Sequence, residues 1–134
     1  MLDAGVPELR LSNRTKSKAE AIAEELDGPI TVVDWDDAEE SIDGAKLIVN
    51  TTSMGMQGGP PMSLTLEKTG DSTLVTDAVY VPLDTPFLQL ARSKGAQTVD
   101  GLGMLLHQAR PGFAAWFGRE PEVDDALRQA VLAA

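Results

Sequence analysis

The chain has 134 residues, 43% of them apolar and 24% charged, which suits one globular domain with a core of its own. Acidic side chains outnumber basic ones 21 to 11, and the resulting net charge of −10 disfavours binding to nucleic acid or to anionic membranes. There is no cysteine and only one histidine, His107, so disulfides, thiolate metal sites, cysteine nucleophiles and multi-histidine metal centres are excluded. No apolar run approaches the roughly 18 residues of a membrane span and no signal peptide opens the sequence, so the expected compartment is the cytoplasm.

Leu2 to Gly5 reads as the end of a helix closed by glycine, with Pro7 just beyond. Glu8 to Ser12 alternates and predicts a strand. Ser17-Lys18-Ala19-Glu20 has the spacing of a capping box, and Ala19, Ile22, Ala23 and Leu26 then fall on one helical face. Asp27-Gly28-Pro29 ends that helix. Ile30 to Val33 is a short β-branched strand. Asp36 to Ile42 predicts a short acidic helix ended by Asp43-Gly44. Lys46 to Asn50 reads as a buried strand from its continuous apolar run.

Thr51 to Met62 is a loop rich in Gly, Pro and small polar residues. Leu74 to Val79 is another strand. Thr85-Pro86 starts a helix that runs to about Lys94 and closes at Gly95. Gln97 to Val99 is a minimal last strand. Leu102, Leu105, Leu106, Ala109, Phe113, Trp116 and Phe117 mark a long helical face, with a kink expected at Pro111. Val123, Ala126, Leu127, Ala130 and Val131 mark a final amphipathic helix. Strands alternating with helices predict an α/β fold built on a parallel, Rossmann-like sheet with flanking helices.

Three segments could carry chemistry. Asn13-Arg14-Thr15, with Lys18 one turn later, follows the first strand. An acidic residue at this place holds a ribose 2′-hydroxyl, whereas arginine suits a 2′-phosphate. Its planar fork matches phosphate oxygens, and its flat face suits an adenine. The bland alternative is a solvated basic patch, together with Arg10 and Lys16. Asn50-Thr51-Thr52-Ser53-Met54-Gly55-Met56 puts small hydroxylated residues at a strand's carboxyl end, where ligands bind in such sheets; an ordinary polar loop reads equally well. In Asp100-Gly101-Leu102-Gly103-Met104-Leu105-Leu106-His107-Gln108, the residues Gly101, Met104 and Gln108 share one face. They suit a flat ring beside a polyhydroxylated substrate. His107 reads as structural rather than catalytic. Tyr80 either faces substrate or packs at the surface.

A glycine-rich phosphate loop belongs about 20 residues before Asn13, yet only 12 residues precede it and Gly5 is their one glycine. The expected fold therefore lacks the first strand and the glycine-rich loop. Two strands, Leu9 to Ser12 and Lys46 to Asn50, are then expected to keep an unpaired edge.

The ordered set Asn13-Arg14-Thr15, Asn50 to Met56, Asp77-Ala78-Val79-Tyr80, Thr85-Pro86-Phe87-Leu88, Asp100 to Leu105 and Gln108-Ala109 … Phe113 … Trp116-Phe117-Gly118 resembles the C-terminal half of shikimate dehydrogenases. The resemblance runs nearly the whole chain and rests on order and spacing together. It implies an NADP-dependent oxidoreductase of the shikimate pathway, in which 3-dehydroshikimate and NADPH give shikimate. It also implies that residues 1–134 are a partial NADP-binding domain, whose helices in 101–134 pack toward an N-terminal catalytic domain.

By the same resemblance, Asn13, Arg14, Thr15 and Lys18 hold the adenosine 2′-phosphate end, and Thr51, Thr52 and Ser53 line the cofactor. Gly101 and Met104 lie at the nicotinamide with Ala78, where a bulkier apolar residue is common. Tyr80 and Gln108 touch the substrate. The family's catalytic lysine and aspartate belong to the N-terminal domain, and no lysine of this chain matches that position. The chain alone is thus expected to be inactive. It is also expected to self-associate or to need an N-terminal partner. The alternatives are part of a quinate/shikimate dehydrogenase and a non-catalytic nucleotide-binding or interaction fragment.

Overall fold

The computed structural model describes residues 1–133. Ala134, the last residue of the expected 1–134 domain and 101–134 helical segment, lies outside the described residues. The chain forms two compact units. One comprises Met1–Ala45 and Leu64–Thr69; the other comprises Lys46–Ser63 and Gly70 onward.

The first unit is built on a β-α-β element: β1 (Leu9–Ser12), α1 (Lys16–Glu25) and β2 (Ile30–Val33). The strands pair in parallel, with Leu9 opposite Ile30 and Ser12 opposite Val33. The predicted capping box does not form. The N-cap is Thr15, and no side chain caps the helix. Asn13 Oδ1 accepts from the Thr15 N–H at 2.9 Å, which turns the chain into the helix two residues before Ser17. Of the predicted apolar face only Ala19 is fully buried, while Ile22 and Leu26 are exposed. The expected helix over 36–42 is instead two 3-10 turns, Trp35–Asp37 and Glu40–Ile42. Three acidic residues within Asp34–Asp37, with no basic side chain in either turn, repel one another along an α-helical face.

Leu66 is fully buried in this unit and has a positive φ of 56°. A branched residue there costs roughly 1–2 kcal/mol. Glu39 offsets that cost, because its carboxyl oxygens accept from the N–H groups of Thr65 (2.8 Å), Leu66 (3.3 Å) and Glu67 (2.9 Å). Successive N–H groups around a left-handed residue form a concave anion seat, and here a side chain of the same unit fills it. Burial pushes the Glu39 carboxyl up, but the donors of Thr65, Glu67 and Leu66 outweigh it and hold it below its ordinary 4.5. A depressed carboxyl contributes stability that is present above its unfolded value and lost as pH falls through the folded one. Glu39→Gln should therefore cost about 1–2 kcal/mol at neutral pH, the difference between charged and neutral acceptors. It should also flatten the acid limb below about pH 4.5. Urea melts of both proteins at pH 7 and pH 4 test this; equal stability at pH 7 would refute it.

The second unit carries a three-stranded parallel sheet, β3 (Leu47–Asn50), β4 (Leu74–Asp77) and β5 (Gln97–Val99), with β4 in the middle. Asn50 lies opposite Asp77, and Thr76 opposite Val99. Helix α2 (Pro86–Ser93) packs Phe87, Leu88 and Ala91 against β4 and β5. Helix α3 (Leu102–Phe117) continues through Pro111, and α4 (Asp125–Leu132) is capped by Asp124, which accepts from the Leu127 N–H at 2.8 Å.

One predicted burial fails here, and one apolar face is left uncovered. β3 pairs on one side only, so just Asn50 is buried and Leu47 is 43% exposed. On α3 only Leu102 is buried, while Trp116 is 82% and Phe117 65% exposed. Apolar periodicity marks a face that wants cover, and nothing in this unit covers this one.

Candidate functional site

Each unit places one group of the predicted residues at the carboxyl ends of its strands, where open parallel sheets bind ligands. In the first unit the group is Asn13, Arg14, Thr15 and Lys18. Arg10 and Lys16, neighbours in the basic cluster, are engaged. Arg10 pairs with Glu8 at 3.0 Å and donates to the carbonyls of Ser41 and Asp43, both at 2.7 Å. Lys16 pairs with Asp34 at 2.8 Å. The side chains of Arg14 and Lys18 are exposed and have no hydrogen-bonding or ionic partner among the described residues. They flank the start of α1, whose first turn carries no acidic residue and no side-chain cap. A helix start without a side-chain cap and two uncommitted cations together favour an anion.

In the second unit the carboxyl ends of β3 and β4 are tied together by a buried polar network. Asn50 Oδ1 accepts from the Thr52 backbone N–H at 3.0 Å and from the Thr52 hydroxyl at 2.7 Å. The Thr52 hydroxyl oxygen in turn accepts from the Met54 N–H at 3.1 Å. Asn50 Nδ2 donates to the Met54 carbonyl at 3.1 Å and to Asp77 Oδ1 at 2.9 Å. Asp77 Oδ1 also accepts from the Val79 N–H at 3.0 Å, and Asp77 Oδ2 from the Thr85 hydroxyl at 2.7 Å. Thr85 caps α2 by accepting from the Leu88 N–H at 3.3 Å. Asn50, Asp77 and Thr85 are all buried.

The remaining predicted residues sit around this network. Thr51 and Ser53 are exposed, flanking the half-buried Thr52. Gly101 is buried, and a Cβ on it would stand 2.6 Å from the Asp77 carbonyl oxygen and 2.7 Å from that of Ala78. Only glycine lets the start of α3 approach the end of β4 so closely. Gly101 and Ala78 are thus brought together, with Gly101's surface spent on backbone packing.

Tyr80 is 42% exposed and lines two shallow cavities. One, of about 310 Å³, lies against Met56, Gln57, Val79 and Val81. The other, of about 340 Å³, lies against Val81, Pro82, Leu83, Leu102, Leu105, Val131 and Leu132. Met104 and Gln108 are exposed on α3 and line neither. His107 is exposed as well.

Sequence reasoning missed the joint role of Asn50, Asp77 and Thr85. A signal for it exists. Asn13, Asn50, Asp77 and Asp100 each end a strand or follow one within a residue, and each accepts from the N–H two residues on. That is the Asx-turn habit of short side chains that bond their own backbone.

Residues 101–132 match the family described as shikimate 5′-dehydrogenase C-terminal domain. The chain is 57% identical over 133 residues to the NADP(+) shikimate dehydrogenase of Paracoccus denitrificans, covering 99% of this chain and 47% of that protein. It is 58% identical over 136 residues to that of Rhodospirillum rubrum, covering 98% and 48%. Over nearly its whole length the chain is similar to the C-terminal half of NADP(+) shikimate dehydrogenases. It spans about half the length of the curated relatives it matches.

Among solved structures, quinate dehydrogenase from Corynebacterium glutamicum in complex with NAD is similar with a TM-score of 0.88 at 31% identity, over 99% of this chain and 49% of that one. Shikimate 5-dehydrogenase from Thermus thermophilus, in complex with NADP(H) and shikimate, gives 0.74 at 35% identity, over 90% and 44%. These likenesses agree with the α/β, Rossmann-like fold of parallel sheets with flanking helices. No helix among the described residues is long and apolar enough to cross a membrane.

Proposed function

We propose that this chain is the NADP-binding part of a shikimate dehydrogenase, an enzyme that interconverts 3-dehydroshikimate and shikimate. The observation that carries the reading is the pair of uncommitted cations, Arg14 and Lys18, at an uncapped helix start on a chain 57% identical to a shikimate dehydrogenase (NADP(+)). Arg14 and Lys18, with the Thr15 hydroxyl and Asn13, would hold the adenosine 2′-phosphate. Thr51, Thr52 and Ser53 would line the cofactor, with Ala78, Gly101 and Met104 at its nicotinamide. Tyr80 and Gln108 would face the substrate. The cofactor, when bound, supplies the hydride; this chain's residues bind and orient it. The cytoplasm is the expected compartment.

The experiment is a titration of the chain with NADP and NAD. Arg14→Ala should weaken NADP by about 10- to 100-fold, the worth of one charged phosphate contact, and leave NAD nearly unchanged. Equal affinity for both cofactors in the unmutated chain would sink the reading. That same result would favour a second one, since the C. glutamicum quinate dehydrogenase is a complex with NAD and has a TM-score of 0.88. An NAD-type quinate/shikimate dehydrogenase expects an acid where this chain has Asn13-Arg14-Thr15.

We also propose that the chain self-associates or takes a protein partner. β1 and β3 each pair on one side only, and Trp116 and Phe117 stand exposed. Free strand edges and exposed aromatic faces are what a second chain covers. Sedimentation equilibrium should show a concentration-dependent dimer. A strict monomer with strong amide protection along both edges would count against self-association.

A further inference from the structure

Thr52 sits in a run of three hydroxylated residues, and the structure separates it from the other two. Thr51 and Ser53 are exposed, whereas the Thr52 hydroxyl is occupied twice, donating to Asn50 Oδ1 at 2.7 Å and accepting from the Met54 N–H at 3.1 Å. A hydroxyl has one proton to give, and this one gives it to Asn50. Asn50 is itself fixed by Asp77, whose other oxygen holds Thr85 at the start of α2. The same Asp77 Oδ1 takes the Val79 N–H, one residue before Tyr80. One chain of hydrogen bonds therefore sets both the 51–54 loop and the backbone leading to Tyr80.

We infer that Thr52, Asn50 and Asp77 are positioning residues, which fix the 51–54 loop so that the exposed Thr51 and Ser53 hydroxyls meet the dinucleotide in a preset array. Thr52 then acts through Asn50 and Met54 and touches no ligand. The inference rests on the cofactor reading above, and it changes the part Thr52 plays in it. A loop already ordered in its bound geometry binds more tightly, because less freedom is lost on binding. The array belongs to the second unit and the 2′-phosphate cations Arg14 and Lys18 to the first, so its loss should weaken NADP and NAD alike.

Thr52→Val keeps the shape and removes both hydroxyl bonds; Thr52→Ser keeps both. Titration calorimetry with NADP and with NAD should show Thr52→Val about tenfold weaker for each, with the NADP-to-NAD ratio unchanged. Thr52→Ser should restore the affinity. Amide exchange should show a protected Met54 N–H in the unmutated chain and in Thr52→Ser, and an unprotected one in Thr52→Val. A urea melt separates this from general unfolding, since the rest of the core should keep its midpoint. Affinities of Thr52→Val equal to those of the unmutated chain would overturn the inference. So would Thr52→Ser failing to rescue. If the unmutated chain binds neither nucleotide, the cofactor reading falls, and Met54 exchange still decides whether Thr52 fixes the loop.

Discussion

Asp77→Ala is expected to cost roughly 3–5 kcal/mol, enough to leave the second unit marginal or unfolded at 25 °C. Asp77 is almost completely buried and accepts three hydrogen bonds, from Asn50 Nδ2, the Val79 N–H and the Thr85 hydroxyl. Truncation removes the acceptor and leaves the donors. Asn50 Nδ2 keeps the Met54 carbonyl, but the Val79 N–H and the Thr85 hydroxyl lose their only partners on that side. Each orphaned buried group costs about 1–3 kcal/mol, and the vacated volume adds a packing loss.

Asp77→Asn separates this account from a plain intolerance of change. Its carbonyl oxygen can take Asn50 and Val79, and its amide can donate to the Thr85 oxygen, so about 1–2 kcal/mol should be lost. Urea denaturation followed by circular dichroism measures both variants. Asp77→Ala within 1 kcal/mol of the unmutated protein would show that the network contributes little stability.

The element order was legible because each element carries its own local signal. Pro86 after Thr85, and Gly95 with φ 86° just past α2, bracket that helix in sequence and in structure alike. β-branched Ile30-Thr31-Val32-Val33 forms its strand where periodicity puts it. Burial was less legible, because periodicity identifies a face and says nothing of what packs on it. Ile22, Leu26, Leu47 and Trp116 satisfy the pattern and are exposed. The capping box failed for a local reason: Asn13 competes for the chain entering α1, and a side chain that bonds two residues ahead acts before Ser17 can. Charge and strand-end position single out Arg14 and Lys18 in the sequence. Their freedom was not readable, since it depends on Glu8 engaging Arg10 and Asp34 engaging Lys16, 18 residues away. The Asn50–Asp77 bond spans 27 residues, and only the parallel register of β3 and β4 makes the two neighbours.

By itself the chain is expected to show no turnover of shikimate with NADP, against the ~1–10³ per second usual for enzymes. Carbonyl–alcohol interconversion needs a group that holds and moves the hydroxyl proton, and such a group gains its matched pKa from partial burial beside the reacting atoms. Among the described residues the one fully buried ionisable side chain is Asp77, and both of its oxygens are engaged in holding three donors. Tyr80 and His107 are exposed. Lys16 and Lys68 pair with carboxylates, Asp34 for the first and Glu40 for the second, and Lys46 donates to Ser72 at 3.3 Å. On the reading proposed above, this half would position the cofactor, and the proton carrier would come from elsewhere. General acid–base catalysis contributes about 10²–10⁴-fold, and orientation of the second reactant far more, so the shortfall should be many orders of magnitude. A steady-state assay at saturating shikimate and NADP measures it directly. NADP binding with no detectable NADPH formation is the expected result. A rate near 1 per second that Tyr80→Phe abolishes would mean that this half carries its own proton-transfer group, and the assignment of cofactor binding alone would have to be given up.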